Sequence, residues 1–190
     1  MDNIKNTKQR IRAIIAGSRV PEDPRHAENT LEWLLRLDPK ADQALQIAAL
    51  GHDIDRADEL RKVRRADYDD YDEFKAAHAC NGAKILRSIM ARCGVARPIA
   101  DEACRLVTLH EVGGDRHSDL LRDADSISFF EVNMPLYYQR EGWDKTKRRC
   151  IWGYGRLSAR LKKITKRIAY EDETLTRLLK EAIRQTCPKD

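Results

Sequence analysis

Apolar residues recur at intervals of three and four along nearly all of this 190-residue chain, and no stretch keeps a period of two. Such a chain can bury its apolar side chains only by winding into helices and turning their stripes toward one another. An all-α fold without strands is therefore expected. Leu31, Leu34 and Leu35 mark a helix starting near Pro24 and stopping before Pro39, and Ala44 to Ala49 mark a second running to about His52. Phe74, Ile85 and Ile89 mark a third, closed near Gly94, and Ile99, Leu106 and Val107 a fourth that ends at Gly113-Gly114. Leu120, Leu121, Ile127 and Phe130 define a fifth, interrupted by Pro135. One basic helix around Leu157, Leu161, Ile164 and Ile168 and a short one around Leu175, Leu178 and Ile183 follow. With a helix near residues 11–15, about seven or eight helices result. Residues 56–71, rich in Asp with Tyr68 and Tyr71, read as an irregular solvated connection or a lid.

This length has room for one substantial apolar core, so residues 1–190 are expected to form a single domain. No apolar run approaches the roughly 20 residues of a membrane span, and the N-terminus lacks a signal-peptide core, so a cytoplasmic protein without a membrane partner is expected. Cys80, Cys93, Cys104, Cys150 and Cys187 form no C-x-x-C pair and read as reduced, mostly buried thiols. The net charge of +5 is too balanced to make nucleic acid the favoured partner. The charge is unevenly spread: residues 145–167 hold ten Lys or Arg and no acid. Trp143, Trp152 and Tyr154 are interleaved with these cations. Should that segment fold back on a cleft, it could stack a base and pair a phosphate.

The histidines narrow the function. On the fourth helix His110 falls seven residues after Ala103, on the buried stripe, and on the third His78 shares a face with Phe74, Gly82 and Ile85. Asp125 shares an apolar face with Leu121 and Phe129, where an unpaired charge is expensive, so it requires a partner. His52-Asp53 ends an apolar helix, and His26 opens the helix before it. These imidazoles and carboxylates without thiolate suit a divalent ion: Mn, Fe, Co, Ni, Mg or Zn. Burial and coordination support each other, because a dication satisfies lone pairs that an apolar interior does not. His117 lies outside this pattern and is expected in solvent.

The order His26, His52-Asp53, His78, His110, Asp125 resembles the HD superfamily of metal-dependent phosphohydrolases, over roughly residues 20–131. Gly51-His52-Asp53-Ile54-Asp55-Arg56 is similar to that family's H-D-I-G-K/R turn, with Asp55 in place of Gly. The segment from His78 through Gly82 to Ile85-Leu86 resembles the H-x-x-x-G-x-x-I-L of the HD-GYP branch, and Leu121 to Asp125 the L-x-x-A-D element. Leu109-His110-Glu111-Val112-Gly113-Gly114 lacks that branch's paired histidines and G-Y-P triplet, which argues against cyclic-di-GMP hydrolysis.

The resemblance implies an HD-type helical bundle with basic C-terminal helices at about 144–186. It implies a first metal on His26, His52, Asp53 and Asp125, and a second on His78 and His110 bridged by Asp53. Arg56 would contact substrate phosphate. From the residues alone, Asp123 could be a ligand, support behind the ligands or a helix N-terminal acid, and Glu111 is a candidate for such support. The implied reaction is attack of metal-activated water on a nucleotide or other small anionic phosphoester. The same ligand order also resembles the di-iron oxygenases of the superfamily, and a third reading is an HD domain that binds a nucleotide or partner without turnover.

Overall fold

The computed structural model describes residues 2–186, and no strand occurs among them. Most helices start where a polar side chain or a proline satisfies the first turn. Asp2 caps α1 (Asn3–Ile15) by accepting the Ile4 and Lys5 N–H groups, and Pro24 sits in the first turn of α2 (Asp23–Leu37). Asp42 caps α3 (Gln43–Gly51), which a single turn, α4 (Ile54–Ala57), follows. Asp70 accepts two N–H groups at the start of α5 (Tyr71–Arg92), and α6 (Arg97–Leu109) has Pro98 in its first turn. Asp115 and Ser118 form a reciprocal capping box before α7 (Arg116–Ser128). A π-helical segment, Phe129–Asn133, joins α7 to α8 (Met134–Arg156), which kinks at Gly142 (φ 75°, ψ −176°), and α9 (Ala159–Thr165) and α10 (Glu173–Thr186) follow.

The middle of α3 is apolar on every side, and Ile47, Ala48, Ala49 and Leu50 are entirely buried. A helix without a polar face belongs in the interior, and α3 packs against α1, α2, α6 and α7. Its C-terminal end therefore delivers His52 and Asp53 inside the molecule. One continuous apolar cluster runs from Ile11 in α1 to Ile183 in α10, so the basic C-terminal helices share the core of the rest. No helix among the described residues is long and apolar enough to cross a membrane. Cys93, Cys104 and Cys150 are buried, Cys80 is exposed and all four are free thiols, while Cys187 lies outside the described residues.

Three expectations need correction. Ten α-helical segments occur among the described residues rather than seven or eight. One addition is α4. The other arises because the basic helix breaks at Leu157, whose ψ of 142° is extended. Leu157 at the break and Leu161 beyond it are both buried, so the spacing of apolar residues runs straight through it. Finally, α6 stops at Leu109, before the two glycines, and Gly113 (φ 72°) and Gly114 (φ 126°) form the turn beyond it.

Candidate metal centre

His52 keeps helical dihedrals beyond the end of α3, whereas Asp53 (φ −100°, ψ 15°) leaves the helix before α4 begins. This turn sends the two adjacent side chains in different directions. Helix α5 lies close against it: a Cβ on Gly82 would sit 3.4 Å from the His52 carbonyl oxygen. The absent side chain thus brings His78, one turn earlier on α5, up to the His52-Asp53 corner.

Four imidazoles meet there, each at most 5% exposed, and each has its Nδ1 committed. His52 Nδ1 donates to the Ala49 carbonyl at 2.9 Å, and His110 Nδ1 to the Val107 carbonyl at 2.7 Å. His78 Nδ1 donates to Asp55 Oδ2 at 2.8 Å. His26 Nδ1 donates to Ser128 Oγ at 2.8 Å, and that hydroxyl donates in turn to the His26 carbonyl at 3.3 Å. A carbonyl only accepts, so these bonds fix the tautomer and turn an Nε2 lone pair toward the centre.

The Nε2 atoms converge with carboxylate oxygens in two trios. His26, His52 and Asp125 form the first, and Asp53, His78 and His110 the second; within each, the candidate ligand atoms lie within 4.8 Å of one another. In the first, His26 Nε2 is 3.2 Å from both His52 Nε2 and Asp125 Oδ1, and His52 Nε2 is 3.5 Å from that oxygen. Asp53 spans the two: Oδ1 is 2.9 Å from His78 Nε2, while Oδ2 faces His26 and His52 at 3.8 and 3.7 Å. Lone pairs pointed at one another this closely repel unless a proton or a metal cation lies between them. The donor set, imidazole nitrogens and carboxylate oxygens with the far side of each ring anchored, fits a divalent metal.

Electrostatics favour positive charge at the same place. Burial works against a proton on His52, but Asp53 and Asp125 outweigh it and push the ring up to about 9. His78, also opposed by burial, is raised to about 10 by Asp53 and Asp55. Burial opposes ionisation of Asp53 and Asp125 too, yet Arg56 and His52 hold the former, and His26 and His52 the latter, well below the usual carboxylate range. His110 is lowered, chiefly by burial, and stays neutral.

A cleft of about 450 Å³ opens over the two trios. Its walls carry Arg56, Arg65, Lys75, Arg140 and Arg149 among aromatic side chains that include Tyr71, Phe74, Phe129 and Tyr137. Helix α8 thus lies against the cleft through Arg140 and Arg149, the condition under which the interleaved aromatic and basic residues could meet a phosphate. Trp152, 36% exposed, is covered by Lys75, Arg149 and Arg156 at 4.2 to 4.4 Å. Buried Tyr154 contributes to the core instead.

The structure brings together all six candidate ligands, from α2, the α3–α4 corner, α5, the end of α6 and α7. Arg56 lies at the cleft, but its guanidinium is held by Asp53 Oδ2 at 2.6 Å and Asp23 Oδ1 at 2.8 Å. Glu111 does stand beside a ligand: its Oε1 is 3.7 Å from His110 Nε2, and Lys75 and Arg156 each hold Oε2 at 3.1 Å. Asp123 does not stand behind the ligands, since its Oδ1 accepts the Ser158 N–H at 3.1 Å and so fixes the start of α9. His117 is partly exposed near Glu102, away from both trios.

Two residues that orient candidate ligands escaped the sequence reading. Asp55 is buried, and besides His78 it accepts bonds from Asn81 and the Val63 N–H. Its signal was the acid standing where the resembled turn has Gly. Ser128 carried no signal at all.

The DUF4202 family model, described as a domain of unknown function, matches residues 2–178. The chain belongs to the DUF4202 family. The matched span of this DUF4202 chain takes in all six candidate ligands and also Arg149, Trp152 and Arg156 of α8. No curated protein and no solved structure matches it.

Proposed function

We propose that this DUF4202 protein is a metal-dependent phosphohydrolase of the HD type, acting on a nucleotide or another small phosphoester. One observation carries the reading: two adjoining imidazole–carboxylate trios form the floor of a cleft whose walls are cationic. His26, His52 and Asp125 would hold one divalent ion, His78 and His110 a second, and Asp53 would face both. When bound, such an ion lowers the pKa of water from 15.7 toward about 7 and polarises a phosphoryl oxygen.

The chain's own side chains do the rest. Arg56 steadies Asp53 through its 2.6 Å bond, so that each oxygen of this carboxylate stays turned to one trio. Lys75 on α5, and Arg140 and Arg149 on α8, offset the negative charge of a phosphoryl group entering the cleft they line. The aromatic side chains reduce the water around it, which strengthens those interactions.

The test is phosphate release from a nucleotide panel with added manganese, cobalt or nickel, repeated without oxygen, on protein whose metal content has been measured. The proposal expects turnover with several divalent ions under both conditions and its loss in His52→Ala and Asp53→Ala. Wild-type rates in those variants would refute it. Iron at two per chain with oxygen uptake would replace it with the oxygenase reading. Metal-independent nucleotide binding without turnover would replace it with the binding-domain reading.

A further inference from the structure

The cleft's five cations are not equivalent. Arg56 is held by Asp53 and Asp23, Lys75 by Glu111, and Arg140 by Glu22 at 3.0 Å. Arg149 and Arg65 have no carboxylate partner among the described residues. Arg149 lies over two rings, with its Cζ 4.9 Å from the centre of Phe129 and 4.2 Å from that of Trp152. Arg65 donates to the Tyr68 and Asp69 carbonyls and lies over Phe74 and Tyr71 at 6.0 and 5.7 Å. These rings hold each guanidinium in place without neutralising it.

The placement is the same on both walls. Phe74 lies four residues before His78 on α5, and Phe129 four residues after Asp125, so each ring is one helical turn from a candidate metal ligand. Each of these arginines lies over its ring, Arg65 exposed and Arg149 half-buried where the imidazoles of the floor are buried, and one comes from each half of the chain. Planar guanidinium groups with open donors match phosphate oxygens. A phosphate engaged at the floor leaves these two charges at the rim unanswered.

We propose that Arg149 and Arg65 form an anion clamp at the rim of the cleft that receives a second, non-reacting phosphate, so that the preferred substrates carry two phosphate groups. The proposal rests on the phosphohydrolase reading for the fate of the first phosphate. It adds that the second phosphate determines which phosphoesters the cleft prefers.

The experiment is isothermal titration of manganese-loaded full-length protein with a series of linear alkanediol bisphosphates of increasing length and with the matching monophosphates. One charge-assisted contact is worth at least about tenfold in affinity, so the best bisphosphate is expected to bind at least about tenfold more tightly than its monophosphate. Arg149→Ala should remove most of that preference, and Arg149→Lys should keep part of it. Thermal unfolding checks that Arg149→Ala is folded, and Arg65→Ala, on an exposed side chain, gives a second reading that does not disturb the core. Equal binding of mono- and bisphosphates, or equal weakening of both in the two alanine variants, would overturn the clamp. Repeating the titration after chelation separates the two ideas. Protein that takes up no manganese when it is added back, yet keeps an Arg149-dependent preference for bisphosphates, would sink the phosphohydrolase reading and uphold the clamp.

Discussion

His26 and His52 present their Nε2 atoms to each other at 3.2 Å while both Nδ1 atoms are held from behind. Two lone pairs so arranged are stabilised by a cation between them. Saturating manganese should therefore raise the unfolding temperature of chelator-treated protein. At a hundredfold excess over Kd the gain is about 2.7 kcal/mol, or roughly 5–10 °C for a chain of this size. Differential scanning calorimetry measures it, and His26→Ala should show little of the increase.

Asp55 and His78 form a carboxylate–imidazole pair of the kind that sets the orientation and basicity of a metal ligand. Asp55→Asn preserves the shape but weakens the hold on the ring. It is expected to lower affinity at the second trio by about 10–100-fold while leaving the first in place. Elemental analysis at limiting manganese should show occupancy dropping from two ions toward one.

Protons compete with metal for the same lone pairs. His52 and His78 are raised in the folded, metal-free protein from 6.5 to about 9 and about 10. Groups with a raised folded pKa add stability that is fully present below about 6.5, the unfolded value. That stability is lost as pH climbs through 9 and 10. Metal-free protein is thus expected to become less stable between pH 6.5 and 10, while manganese binds more tightly and displaces fewer protons at the upper end. Urea unfolding against pH, with and without chelator, checks both trends. A metal-free stability that rises across this window would contradict the assignment.

Arg156, at the end of α8, donates to the Glu111 carbonyl at 2.8 Å, the His110 carbonyl at 3.4 Å and Glu111 Oε2 at 3.1 Å. It therefore fixes the turn that carries His110 from outside the region where the HD-like motifs occur. Arg156→Ala leaves these partly buried acceptors short of a donor, at about 1–3 kcal/mol. Weaker binding at the second trio is expected, with the first unaffected, and competition with a metal-sensitive dye measures both.

How much of this was legible follows from what periodicity and pattern record. Helix identity and the inward face of His78, His110 and Asp125 were legible, because burial and helical spacing are one signal. The convergence of His26 with Asp125, about a hundred residues apart, came from the resemblance, since nothing local joins them. Asp55 was visible only as an anomaly in the turn, and its partner His78 lies on a different helix. Ser128 had no chance of detection: a serine on a helix has many uses, and only packing aims this one at His26. The neutralised state of Arg56 and the free state of Arg149 depend on which acids fold alongside them, and neither charge count nor spacing reports that.

The π-helical segment Phe129–Asn133 holds one residue more per turn than its surroundings require. Each α-helical residue advances the azimuth by about 100°, so this segment sets the phase of α8 as far as its kink at Gly142. Deleting a single residue there would rewind the turn and swing Arg140 away from the floor, upstream of the non-helical Gly142 (φ 75°, ψ −176°) that separates it from Arg149, Trp152 and Arg156, with every candidate ligand left in its sequence position. The length of this short coil is therefore under the same constraint as the identity of the histidines, and a comparison of DUF4202 chains should find insertions and deletions excluded from it.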